Sequence, residues 1–304
     1  MNNIESTARA LEQRLAILTP SIEQRLQHNW PNPNNSQLWI KRDDLIHPII
    51  SGNKWRKLKY NLAQALINHK QHIVSFGGGY SNHLHALGYS CQQLGIRFTA
   101  IVRGHYPQLT PMLDDLARWQ SDIHFVDKHT YQQRAEPSYL QSLQQQFPEA
   151  QIIAEGGSEH LALRGIAEIL PELQQAYDYI LLPVASGGTL AGLVQSQCRS
   201  KLIGIAVLKG QDYLESLVED LLPESRHTAK WQILHGFHQG GYAKIPAELK
   251  TFCQDFSAQS QVPLEPVYSG KLLFAAKQLV AEGYFANNSK VLVLHTGGLQ
   301  GQRG

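Results

Sequence analysis

The sequence predicts an α/β protein built on open, twisted, mostly parallel sheets, and three observations carry that expectation. Short β-rich runs at 73–76, 98–102, 123–126, 179–184, 202–207 and 291–295 alternate with segments of helical periodicity. Two of the turns between them are glycine-rich and open directly onto a helix. The 304 residues suffice for two such sets of units, and two domains flanking a cleft are the economical arrangement. The expected larger domain comprises residues 1–50 and 156–304, the smaller one residues 51–155, with the crossing at Glu155-Gly156-Gly157-Ser158.

Taken in order, the Pro/Asn patch at 31–35 reads as a surface loop. Ser51 to Lys59 is a basic segment behind the loop Pro48-Ile49-Ile50. After Ser81, apolar residues fall at Leu84, Leu87, Cys91 and Leu94, which places one helix face on a sheet, and Gly95 stands at the C-cap position. Ser81 or Asn82 suits the N-cap. Residues 189–197 follow an apolar run, and Ala191 and Gly192 allow that helix to pack closely on its strand.

Composition excludes several function classes. No apolar stretch is long enough to span a bilayer, and the opening Met1-Asn2-Asn3-Ile4-Glu5 lacks the basic start and apolar run of a secretory signal, so a cytosolic protein is expected. Cys91, Cys198 and Cys253 are odd in number and widely spaced, which argues against a disulfide framework and a structural zinc. A formal net charge of +2 is too small for a nucleic-acid footprint. The partner expected is a small molecule. The 14 His are scattered, and pairs such as His83 and His85 point to different helix faces, so no metal site is expected.

The sharpest local signal is Ser186-Gly187-Gly188-Thr189 between a buried strand and a helix. Its free backbone N–H groups, the positive helix end and two hydroxyls suit a phosphate. The loop lacks a P-loop lysine, Ser269-Gly270-Lys271 has Glu265 where a Walker motif needs its first glycine, and no dinucleotide fingerprint is present. The second glycine turn, residues 77–83, offers another anion-competent helix start. Two such starts fit a phosphorylated cofactor and a substrate carboxylate, the needs of an amino-acid enzyme. As a bare cluster, Ser51-Gly52-Asn53-Lys54-Trp55-Arg56-Lys57-Leu58-Lys59 reads as a solvated face. Alternatively, a desolvated lysine there forms a Schiff base with an aldehyde cofactor, and composition does not choose among Lys54, Lys57 and Lys59.

Six separated motifs, in order, carry a resemblance over nearly the whole chain. They are Lys41-Arg42-Asp43-Asp44, the Ser51 to Leu58 run, Gly78 with Ser81-Asn82-His83, Ser186 to Thr189, Pro266-Val267-Tyr268-Ser269-Gly270-Lys271, and His295-Thr296-Gly297-Gly298. Together they resemble the 1-aminocyclopropane-1-carboxylate deaminase/D-cysteine desulfhydrase family. The resemblance implies the tryptophan-synthase-β-like fold, fold type II of the pyridoxal-phosphate enzymes, usually a homodimer, with pyridoxal 5'-phosphate as cofactor and a small amino acid as substrate.

It further implies that Lys54 is the Schiff-base lysine, that Asn82 contacts the cofactor's ring hydroxyl, and that Ser186, Gly187, Gly188 and Thr189 cup its phosphate. Ser81, Asn82, His83 and Tyr268 fall at substrate positions, with His83 where relatives often carry Gln. Tyr268 and Ser81 join Lys54 as catalytic candidates, and Ser269 and Thr296 as cofactor contacts. Ring-opening deaminases resemble one another in an acid just after that Tyr and an apolar residue within the final His-x-Gly-Gly. Here Ser269 and Thr296 stand instead. A hydroxyl leaves the pyridine ring neutral, which supports β-elimination better than cyclopropane opening. The implied reaction is elimination from a D-configured or β-substituted amino acid to pyruvate, ammonia and sulfide. A ring-opening deaminase and a non-catalytic pyridoxal-phosphate or amino-acid binding protein are the alternatives.

Overall fold

Residues 3–223 and 228–303 are described in the computed structural model. The chain begins with helix α1 (Asn3–Arg14), strands β1 (Glu23–Arg25) and β2 (Gln37–Lys41), and helix α2 (Asn53–Ile67). It continues through β3 (His72–Gly78), α3 (Asn82–Leu94), β4 (Arg97–Arg103), α4 (Pro111–Arg118), β5 (Asp122–Val126), α5 (Lys128–Gln132), α6 (Pro137–Gln146) and β6 (Ala150–Ile153). The remainder is α7 (His160–Ala167), β7 (Tyr179–Val184), α8 (Gly188–Gln195), β8 (Lys201–Ala206), α9 (Tyr213–Glu219), β9 (Trp231–Leu234), α10 (Ala247–Ser260), α11 (Ser269–Ala281) and β10 (Lys290–Leu294). No helix among the described residues is long and apolar enough to cross a membrane.

Two compact units result. Residues 3–18, 47–165 and 300–303 form the first; residues 19–46, 166–223 and 228–299 form the second. The expected division differs in four places: residues 3–18, 47–50, 156–165 and 300–303 all belong with the first unit. Residues 3–18 belong with the first unit because α1 packs on α2, where Glu12 pairs with Lys59 at 2.8 Å. The crossing lies at 165/166, inside α7, ten residues beyond the expected border at 155/156, because the glycine turn at 155–157 contacts α2 and α3 within the first unit.

The first unit carries a four-stranded parallel sheet in the order β5-β4-β3-β6. Its β3 is buried on both faces, as a central parallel strand must be, and one side of the sheet closes over Val74, Phe76, Ile101, Tyr131 and Leu143. The second unit carries a six-stranded sheet, β1-β2-β10-β7-β8-β9, parallel except for the antiparallel edge pair β1/β2. One hydrophobic cluster sets α10 and α11, through Leu249, Phe252, Leu272 and Leu279, against β2, β7, β8 and β10. All three cysteines are buried and free. Burial pushes the thiol of Cys91 up, and that of Cys253 up to about 12.

The basic run of α2 is no solvated face. Arg56 is 1% exposed, Lys57 2% and Lys59 5%. A short stretch rich in Lys and Arg therefore lies inside the first unit, which the polarity of its residues alone conceals.

Candidate functional site on the two units

In the first unit, the chain enters α2 through Gly52 at φ 67°, ψ −151°, a conformation only glycine adopts without strain. That turn puts Lys54 in the first turn of α2, where the helix dipole disfavours a cation. Desolvation pushes the Lys54 ammonium down to about 8, while the Glu155 carboxylate pulls it the other way. Lys54 makes no hydrogen bond or ion pair among the described residues. Lys57, one turn on, is pushed well down by burial and by the neighbouring Lys54, and its Nζ donates to Ser158 Oγ at 3.0 Å. Glu155 is itself fixed: Tyr131 donates to Oε1 and Arg134 to Oε2.

The head of α3 is built from the glycine turn. Gly79 donates its N–H to Tyr106 Oη at 2.9 Å and accepts from the Thr110 hydroxyl, and a Cβ there would lie 2.5 Å from the Tyr106 ring. Ser81 is the N-cap, its Oγ accepting from Leu84 N at 3.2 Å. Asn82 follows with its Oδ1 held by Gln300 Nε2 at 2.6 Å. His83 is buried. Its Nε2 lies 2.7 Å from Ser75 Oγ. The Ser75 hydroxyl donates to Ile153 O, so His83 Nε2 carries the proton. Its Nδ1 has no partner. Burial, then Lys54 and Lys57, hold His83 well below 6.5, hence neutral.

In the second unit, β7 runs into Ser186-Gly187-Gly188-Thr189 and α8 starts at Gly188. Gly187 sits at φ 72°, and a Cβ on it would meet the Leu217 carbonyl at 3.0 Å. The backbone is thus bent into a cradle that a side chain would spoil, as a phosphate-binding turn requires. The head of α11 is organised by Glu265, which the sequence analysis treats only as a residue that spoils a Walker motif. Its carboxylate accepts from the N–H of Val267, Tyr268 and Ser269, each at 2.7 Å. Burial nevertheless raises it to about 7, against the lowering effect of those bonds.

Tyr268 is set by this arrangement, its Oη 3.1 Å from Tyr242 Oη. Ser269 is fully buried, and its Oγ accepts from Glu265 N at 3.0 Å and lies 3.3 Å from Glu265 Oε1. Thr296 follows β10, beside His295. The His295 Nε2–H donates to Pro263 O at 2.7 Å and Nδ1 accepts from Gly297 N, with Asp44 3.6 Å away. Asp44 in turn is clamped by Arg42, whose Nε donates to Oδ1 and Nη2 to Oδ2. The Lys41-Arg42-Asp43-Asp44 motif and the final His-Thr-Gly-Gly motif therefore meet in one buried network.

So the first unit carries Lys54, Ser81, Asn82 and His83, with Lys54 close enough to act on the charge of His83, and the second carries Ser186 to Thr189, Tyr268, Ser269 and Thr296. Glu265, Glu155 and Gln300 are the polar groups that sequence reasoning missed. For Glu265 a signal existed, since an acid four residues before Ser269 can turn back onto the open N–H groups of a helix start.

These groups suit an aldehyde cofactor bearing a phosphate: a desolvated amine without a competing acceptor, and a glycine cradle with flanking hydroxyls. The comparison with known families decides the matter, for the pyridoxal-phosphate dependent enzymes match residues 25–297. The chain belongs to that family. Its cofactor is pyridoxal phosphate, and it is an enzyme. Among curated relatives, the bifunctional D-cysteine desulfhydrase/1-aminocyclopropane-1-carboxylate deaminase of Arabidopsis thaliana mitochondria is 27% identical, covering 90% of this chain and 76% of that protein. Among solved structures, an ACC deaminase homologue superposes with a TM-score of 0.78 at 24% identity, covering 98% of this chain and 96% of the other. A hydrogen sulfide-producing enzyme of Fusobacterium nucleatum gives a TM-score of 0.64 at 12% identity, covering 94% and 98%. The fold is thus that of the ACC deaminase homologue, the fold type II that the motifs imply.

Proposed function

We propose that this enzyme eliminates a β-substituent from a small amino acid, D-cysteine best, to give pyruvate, ammonia and hydrogen sulfide with uptake of one water. The observation that carries the proposal is the desolvated amine of Lys54, without a hydrogen-bond partner among the described residues, in a chain of the pyridoxal-phosphate family. When bound, the cofactor supplies an electron sink that acidifies the substrate Cα–H.

The residues of this chain divide the remaining work. Ser186 to Thr189 hold the phosphate, Asn82 faces the ring hydroxyl, and the α3 start around Ser81 receives the substrate carboxylate. Lys54 Nζ first holds the cofactor, then takes the Cα proton, for which a nitrogen pushed down to about 8 is well matched near neutral pH. Tyr268 Oη delivers a proton to the departing sulfur and recovers it through Tyr242 Oη, 3.1 Å away. His83, neutral and tied to Ser75, adds no charge beside Lys54. A homodimer in the cytosol is the expected setting.

One observation favours a ring-opening 1-aminocyclopropane-1-carboxylate deaminase as second reading. The Ser269 hydroxyl, which replaces the acid of those enzymes, is backed by the Glu265 carboxyl 3.3 Å away. Pyruvate release from D-cysteine and L-cysteine, beside 2-oxobutyrate release from 1-aminocyclopropane-1-carboxylate, separates the readings. Turnover of D-cysteine alone is the expected result. Turnover of the cyclopropane substrate alone makes the protein a deaminase. Binding of the cofactor with no exchange of any substrate α-proton would leave a binding protein.

A further inference from the structure

We propose that Gln300 is a positioning residue that sets the Asn82 amide so that it offers only a hydrogen-bond donor to the cofactor. This rests on the reading above, in which Asn82 faces the ring hydroxyl of pyridoxal phosphate. Asn82 is the first residue of α3, held in place by the Ser81 cap. Its Oδ1 accepts from Gln300 Nε2 at 2.6 Å, and the same Nε2 donates to Tyr80 O at 3.2 Å. Both hydrogens of the Gln300 amide are thereby directed onto the head of α3. The Asn82 Nδ2 has no acceptor among the described residues. Turning the Asn82 amide over would set its NH2 against the NH2 of Gln300, donor against donor.

Gln300 is itself built in. Arg303 N and Nε donate to Gln300 O at 3.2 and 3.3 Å. The Arg303 guanidinium pairs with Asp115 Oδ2 at 2.5 Å, and His85 Nε2 lies 2.9 Å from the same oxygen. Burial raises the Asp115 carboxyl, but the hydrogen bonds from Arg303 and His85 outweigh it and keep it ionised. Asp115 belongs to α4 and His85 to α3, so the segment after β10 is anchored on the helix whose start it orients. A donor fixed toward the ring oxygen stabilises the deprotonated oxygen, which governs the colour and acidity of the Lys54-bound cofactor. Sequence reading gives no hint of this, because Gln300 lies 218 residues from its partner.

The test is titration of the apoprotein with pyridoxal phosphate, followed by the absorbance of the Lys54-bound chromophore and the pH midpoint of that absorbance. Gln300→Ala should weaken cofactor binding about fivefold, the worth of one hydrogen bond. Gln300→Glu, nearly the same shape, accepts from Asn82 Nδ2 and turns Oδ1 outward, so it should weaken binding about tenfold or more and raise the midpoint further. The double variant Asn82→Ala, Gln300→Ala should bind no worse than Asn82→Ala alone. Wild-type affinity and midpoint in both Gln300 variants, or strictly additive losses in the double variant, overturn the proposal. Thermal unfolding of the apoproteins checks that each variant folds. A wild-type protein that forms no such chromophore would overturn the cofactor reading of Lys54 itself, and this proposal with it.

Discussion

The heads of α2 and α11 each carry a lysine that desolvation pushes down to about 8, and the two differ in what meets the nitrogen. Lys271 Nζ, fully buried, donates to Val207 O at 2.9 Å and Gly241 O at 2.7 Å, with Glu265 adding a favourable charge. Lys54 meets no acceptor among the described residues. A lowered pKa therefore does not by itself mark a reactive amine. Chemistry needs a nitrogen lone pair that no neighbour claims, whereas a lysine donating to two carbonyls is a cross-link between loops. The comparison predicts opposite consequences for the same substitution at the two positions.

The largest effect should come from Lys54→Ala, which should abolish the cofactor chromophore and lower turnover by roughly 10³-fold or more. Retained chromophore would transfer the role to another lysine. Lys271→Met should instead cost about 2–4 kcal/mol of stability by leaving two buried carbonyls unpaired, read by denaturant unfolding of the apoprotein. A catalytic defect in a stably folded Lys271→Met protein would break the distinction.

Gly165→Ala tests how firmly the head of α2 is seated, because a Cβ there would lie 1.9 Å from the Arg56 carbonyl oxygen. We expect a loss of about 2–3 kcal/mol with weakened cofactor capture. Lys54→Met should raise the stability of the apoprotein near neutral pH, by on the order of 1 kcal/mol after allowing for partial exposure of the side chain. The sign follows from the lowered value: Lys54 contributes its full share to stability above 10.5 and loses it as pH falls through about 8. Wild type minus Lys54→Met should therefore show a stability difference that grows from pH 10 down to pH 7. The smallest effect is kinetic, an acceleration of cofactor capture by wild type between pH 7 and pH 9 as the Lys54 amine loses its proton. A flat profile would mean that the amine is already neutral at pH 7.

The readable parts of this molecule are those whose physics is local in the chain. The stripe Leu84, Leu87, Cys91 and Leu94, the Ser81 cap and the left-handed Gly95 at φ 70° are found as expected, because helix period and capping act within a few residues. The central strands were legible as apolar runs. Strands β1, β2, β6 and β9 were not, being three to five residues long and polar in part. The glycine cradle at 186–189 and Lys54 were visible as motifs. Glu265 and Gln300 were not, since each acquires its meaning from partners that only the fold supplies. His83 shows the same limit: its motif gives no sign of the bond between its Nε2 and Ser75 Oγ, which only the fold supplies.

The buried cysteines bear on the reaction proposed above. Hydrosulfide and the polysulfides derived from it modify proteins through thiolates and disulfides. Cys91, Cys198 and Cys253 are all buried, all free, and all raised above the ordinary thiol range. Were sulfide the product, as proposed, hydrosulfide would find no disulfide among these cysteines to attack, and the polysulfides formed from it would find no exposed thiolate.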